Sequence, residues 1–113
     1  MPILVITEKA DPEKISAMSQ EYESMIKIVV DVRKKILAGG GEMHADCETE
    51  LLDSGSEQSD LWGANWYPDE QRIEYESLIN IRPTMGFKSI VLQDESLRKK
   101  VKDVTENLLG GVP

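Results

Sequence analysis

Apolar positions recur along this chain in two rhythms, and the switches between them mark its elements. Residues 2–7 (PILVIT) form a short, almost wholly apolar run, which suits a buried strand. Asp11 then offers an N-cap, and Pro12 suits the first helical position. Ile15, Met18, Tyr22 and Met25 follow at spacings of three and four, one stripe of an amphipathic helix. Residues 26–32 (IKIVVDV) are rich in β-branched side chains and predict a second strand. Arg33, Lys34 and Lys35 break the run, which resumes over residues 36–38, so a hairpin is expected. Gly39, Gly40 and Gly41 mark a bulge, a sharp bend or a close backbone approach.

The second half repeats these signals. Asp46 can cap a short helix running to about Asp53, with Cys47 and Leu51 on one face and Gly55 just past its end. Residues 61–67 (LWGANWY) read as a strand stopped by Pro68. Residues 72–82 (RIEYESLINIR) alternate most regularly of all, and residues 68–71 are short enough to make the two strands a hairpin. Asp94 caps a last helix with the stripe Leu97, Val101, Val104 and Leu108, ended by Gly110 and Gly111. The predicted order is β-α-β-β-α-β-β-α. This is an α+β fold, a mostly antiparallel sheet of about five strands with three helices on one face. The length of 113 residues and the absence of a linker or repeat predict a single domain over residues 1–113.

Charge adds one feature to this picture. The formal net charge is -8, and no Lys or Arg occurs between Ile36 and Gln71. Those residues carry Glu42, Asp46, Glu48, Glu50, Asp53, Glu57, Asp60, Asp69 and Glu70, so they hold the whole acidic excess. Such a segment repels phosphate backbones and argues against nucleic acid as a partner. It could attract a cation or a basic protein, or simply keep one face solvated. The basic cluster Arg98, Lys99, Lys100 and Lys102 spreads around a helix and reads as solvated. The N-terminus lacks the basic and apolar regions of a signal peptide, and no window has the length of a membrane span. One cysteine, Cys47, excludes an intrachain disulfide. A cytoplasmic protein is expected.

Two stretches could carry chemistry. In Gly39-Gly40-Gly41-Glu42-Met43-His44-Ala45-Asp46, an extended backbone would project Glu42, His44 and Asp46 from one face. They could ligate a divalent cation, with Asp60 or Glu76 as a further ligand. The plainer reading makes Asp46 a cap and His44 a locally bonded residue. A phosphate loop is disfavoured, because Glu42 directly follows the glycines. Cys47 sits among Asp46, Glu48 and Glu50, which disfavour a thiolate and favour a packed core cysteine. In residues 60–68, Trp62, Ala64 and Trp66 would share a face, as core or as the aromatic floor of a binding surface. Asn65 would lie on the other face, where Asn80 and Arg82 could meet it and grip a carboxylate.

The stretches GGEMHAD (40–46), GS with Gln58 and DLWG (55–63), Asn65, Tyr67-Pro68 and INIRP (79–83) resemble a small prokaryotic family of domains of unknown function. The resemblance spans nearly the whole chain. It implies a stand-alone prokaryotic domain and supplies no activity, cofactor or catalytic residue. Two functional readings follow. One is a non-catalytic binding or interaction domain, self-associating through a run such as residues 26–32. The other is a metal-dependent hydrolase built on Glu42, His44, Asp46 and a further carboxylate.

Overall fold

The computed structural model describes residues 3–113; Met1 and Pro2, the latter opening the first expected strand, lie outside them. The elements are β1 (Leu4–Ile6), α1 (Pro12–Met18), β2 (Ile26–Asp31), β3 (Ile36–Gly39), α2 (His44–Asp53), β4 (Leu61–Tyr67), β5 (Arg72–Glu74) and α3 (Glu95–Leu109). The class and order are those expected. The five strands form one antiparallel sheet in the order β1-β3-β2-β4-β5.

Side-chain alternation on β2 divides the interior into two cores. Ile26, Ile28 and Val30 face α1 and α3, together with Leu37, Trp62, Ala64 and Trp66. Val29 faces the other way, with Ala38 and Leu61, and meets Cys47 and Leu51 of α2. Helices therefore cover both faces of the sheet, not one. The Cys47–Leu51 stripe has its own apolar row to cover, made by Val29 and Ala38, which are register partners. Trp62, Ala64 and Trp66 are core, not an exposed aromatic floor. Strand β2 pairs with β3 on one edge and β4 on the other. It has no edge to offer a second copy.

Two elements are shorter than the apolar rhythm predicts. Helix α1 is capped by the Asp11 carboxylate, which accepts from Lys14 N–H at 2.9 Å, and it stops at Met18. The Ser19 hydroxyl donates back to the Ile15 carbonyl at 2.8 Å, the same carbonyl that accepts Ser19 N–H at 3.0 Å. Tyr22 and Met25 thus lie beyond the helix. The expected strand over residues 72–82 ends at Glu74. Beyond it the backbone leaves β4: Leu92 N–H donates to Tyr75 O at 2.9 Å, and Ser77 N–H donates to Ile90 O at 3.0 Å. Residues 78–80 form a 3-10 turn capped by the Ser77 hydroxyl.

Side chains replace the missing strand along β4. Gly63 N–H donates to Asn80 Oδ1 at 2.8 Å, and Asn80 Nδ2 donates to Gly63 O at 3.0 Å and to Ile90 O at 3.2 Å. Asn80 is fully buried. Its amide thus satisfies both backbone groups of Gly63, as a neighbouring strand residue would. The approach requires glycine, since a Cβ at Gly63 would overlap the Ser77 side chain. Arg82 extends the substitution. Its guanidinium donates to the carbonyls of Gln58, Ile79 and Leu61 and lies 4.1 Å from the Trp62 ring centroid. Burial pulls its pKa down, opposed by the charge of Glu48.

Asn80→Ala would orphan both Gly63 groups and should destabilise the fold by about 2–4 kcal/mol, since each buried unpaired group costs roughly 1–3 kcal/mol. Gly63→Ala should cost about 1–3 kcal/mol through overlap with Ser77. Urea denaturation followed by circular dichroism measures both.

Candidate functional site

A polar row crosses the sheet on the face that α2 covers. Lys27 of β2 pairs in register with Asn65 of β4, and Asn65 pairs with Glu74 of β5. Such partners place their side chains next to one another. Helix α2 begins beside this row, and its first residue, His44, packs against β4. Residues 76–79 and Ile90 form the facing wall. Between them lies a cleft of about 320 Å³, lined by Lys27, His44, Asn65 and Glu76 with apolar Met43, Leu78, Ile79 and Ile90. Met43, Leu78 and Ile90 are all exposed, Leu78 by 73%.

The hydrogen bonds fix the orientation of both buried polar groups. Asn65 donates through Nδ2 to Glu74 Oε1 at 3.1 Å. A carboxylate only accepts, so the amide NH₂ must face β5 and Oδ1 must face away from it. Asn65 is 8% exposed, and its Oδ1 is buried without a hydrogen-bond partner while His44 is neutral; a protonated His44 would donate to it. A buried acceptor left unpaired costs about 1–3 kcal/mol. His44 Nε2 lies 2.8 Å from Ala64 O. A carbonyl accepts only, so Nε2 carries the proton, and in the neutral ring Nδ1 keeps its lone pair.

Burial holds the His44 pKa below the usual histidine value. The Ala64 carbonyl opposes this shift, nearby Lys27 adds to it, and the Asn65 amide opposes it. The cleft therefore presents a neutral imidazole at pH 7. Lys27 has no carboxylate within ion-pair distance among the described residues; its ammonium lies 5.2 Å from the Tyr22 ring centroid. The N-cap of α2 is Met43, which makes no side-chain cap. Asp46 N–H donates to Met43 O at 3.1 Å, which leaves the His44 and Ala45 N–H groups without a capping acceptor.

The four expected metal ligands do not meet. The backbone turns helical at His44, so His44 and Asp46 project about 200° apart rather than from one face. His44 points inward to Ala64, while Glu42 and Asp46 are exposed. Asp46 stands in the first turn of α2, where it complements the helix dipole, and Met43, not Asp46, is the cap. Asp60 pairs with Arg33 at 2.9 Å. It precedes β4 and lies five residues from Asn65, roughly 16 Å along a strand. Among the described residues no three His, Cys, Asp or Glu side chains gather as a metal site.

The expected grouping of Asn65, Asn80 and Arg82 also separates. Asn80 and Arg82 spend their polar atoms on backbone carbonyls and on Gly63. Trp62 carries Arg82 on its ring within the core. Only Asn65 of that set faces the cleft, beside His44. Lys27, Met43, Leu78 and Ile90 were missed. Lys27 had a visible signal, as the one charged residue inside the apolar run of residues 26–30. The other three are scattered in sequence and meet only through the fold. Cys47 is buried beneath α2, and burial pushes its thiol up to about 11, which leaves it protonated and unreactive.

A larger hollow, about 530 Å³, lies between α3 and the turn after β2. Lys35, Lys100, Asp103 and Glu106 line it with mixed charge, and none of the buried unpaired atoms opens there. The chemistry favours the smaller cleft.

These features define an α+β domain with a cleft of mixed polar and apolar lining. The chain belongs to the DUF5674 family, proteins of unknown function, whose profile matches residues 4–108. No curated protein and no solved structure matches it. No helix among the described residues is long and apolar enough to cross a membrane.

The buried histidine predicts a pH dependence. An unfolded histidine titrates near 6.5, and His44 in the fold titrates lower. Between the two values the unfolded chain holds more protons, so stability rises with pH there. The His44 contribution should be fully present above pH 6.5 and should be lost as pH falls through the folded value. Urea midpoints across this range should show that slope in the wild type, and a His44→Gln variant should lack it.

Proposed function

We propose that the domain is a non-catalytic binding module whose ligand occupies the cleft between α2 and residues 76–79. The observation that carries this reading is Asn65 Oδ1, a buried acceptor with no partner, on a residue that lines the cleft. Glu48 Oε2 and Trp66 Nε1 are also buried without a partner, but of the three atoms only Asn65 Oδ1 belongs to a residue that lines the cleft, where a ligand donor would satisfy it. Supporting it, the cleft combines an apolar rim with a few convergent polar groups, the usual make-up of a small-ligand site. The rim residues Met43, Leu78 and Ile90 would take an apolar body, and His44 and Asn65 would take a polar head.

An NMR titration tests the proposal. Isobutyramide, isobutylamine and 4-methylpentanoate each join one polar head to a short branched chain. At least one should shift backbone amides of residues 43–45, 65 and 77–79, and Leu78→Ser should weaken that response several-fold. Absence of shifts at these amides with all three probes, or shifts confined to another face, would overturn the proposal.

A further inference from the structure

The cleft's charges narrow its ligand further, if the binding reading above holds. The polar groups fall into two sets of opposite preference. Lys27 supplies an ammonium with no carboxylate partner among the described residues, and the uncapped start of α2 supplies free N–H groups and the positive end of a helix dipole. Both favour a carboxylate. The second set is Asn65 Oδ1, a buried acceptor without a donor, and the Glu76 carboxylate on the facing wall. Both favour a hydrogen-bond donor, best a charged one. Neutral His44 lines the cleft beside Asn65, and its Nδ1 can accept a further hydrogen bond.

A ligand that satisfies both sets carries an anionic and a cationic head together. A simple carboxylate would face Glu76 unpaired, and a simple amine would face Lys27 unpaired. The rim of Met43, Leu78, Ile79 and Ile90 adds an apolar side chain to the description. A volume of about 320 Å³ is at the small end of ligand sites, which suits a small molecule. We infer that the cleft binds a free α-amino acid with a branched apolar side chain, its carboxylate on Lys27 and the start of α2, and its ammonium on Asn65 and Glu76.

Calorimetry with L-leucine, L-leucinamide, 4-methylpentanoate and glycine separates these parts. Leucine should bind, and each of the other three, lacking one feature, should bind at least about tenfold more weakly. Lys27→Met should weaken leucine at least about tenfold and bind leucinamide no more weakly than the wild type does. Glu76→Gln should weaken leucine and bind 4-methylpentanoate no more weakly than the wild type does. Should Lys27→Met fail to fold, Leu78→Ser changes an exposed residue and should still reduce leucine binding several-fold.

Leucinamide binding as tightly as leucine would overturn the carboxylate assignment and favour the N-terminus of a peptide. Equal binding of 4-methylpentanoate would overturn the ammonium assignment. If leucine gives no heat while a single-headed probe shifts the cleft amides in the NMR titration, the zwitterion inference fails and the binding-module reading stands. If no probe shifts those amides and leucine gives no heat, both fail.

Discussion

The amide of Asn80 bonded to Gly63 is the interaction on which the rest of the structure depends. Strand β4 is central to the sheet, yet β5 pairs with it only over residues 65–67. Its remaining edge would leave backbone groups unpaired in a buried place, which is costly. Asn80 resolves this by presenting one donor and one acceptor to Gly63, in the way a strand residue does. Arg82, a donor only, covers the carbonyls of Leu61, Gln58 and Ile79. These buried bonds outweigh the exposed ion pairs. Arg33–Asp60, with the arginine side chain 56% exposed, falls in the class worth about 0–1 kcal/mol.

The cleft follows from this substitution. A true strand over residues 75–82 would have continued β5 along the edge of β4, in the plane of the sheet. Because the backbone departs after Glu74 and returns only through side chains, residues 76–79 stand off the sheet and become a wall. Helix α2 supplies the opposite wall, and the Lys27–Asn65 row supplies the floor. The same amide chemistry thus both completes the fold and opens the site.

The legible parts of the sequence were those whose rhythm is set by burial alone. Strands β2 and β4 and helix α3 have one apolar face or a continuous apolar run, and the expected spans are close to those observed. Gly55 takes a left-handed φ of 102° just beyond α2, the role its position suggested. The departure over residues 75–82 has one cause, polar side chains bonding to backbone: Asn80 and Ser77 turn an alternating run into a bridge and a 3-10 turn. In that run alternation reports neither burial, since Asn80 and Arg82 are buried while Leu78 and Ile81 are exposed, nor whether a strand or a side chain provides the hydrogen bonds. The side of the sheet taken by α2 was likewise invisible, because a Cys47–Leu51 stripe fits either face. At the site, His44 and Asn65 were marked by residue type, whereas the exposed rim came from three distant segments.

The most direct measurement is hydrogen exchange of the Asn80 side-chain amide in ¹⁵N-labelled protein. Both Nδ2 hydrogens are engaged, one with Gly63 O and one with Ile90 O. The account predicts two well-separated Asn80 resonances that exchange far more slowly than those of the exposed Asn107. Asn80 side-chain hydrogens exchanging as fast as those of Asn107 would contradict it, because the wall of the cleft would then lack the bond that holds it.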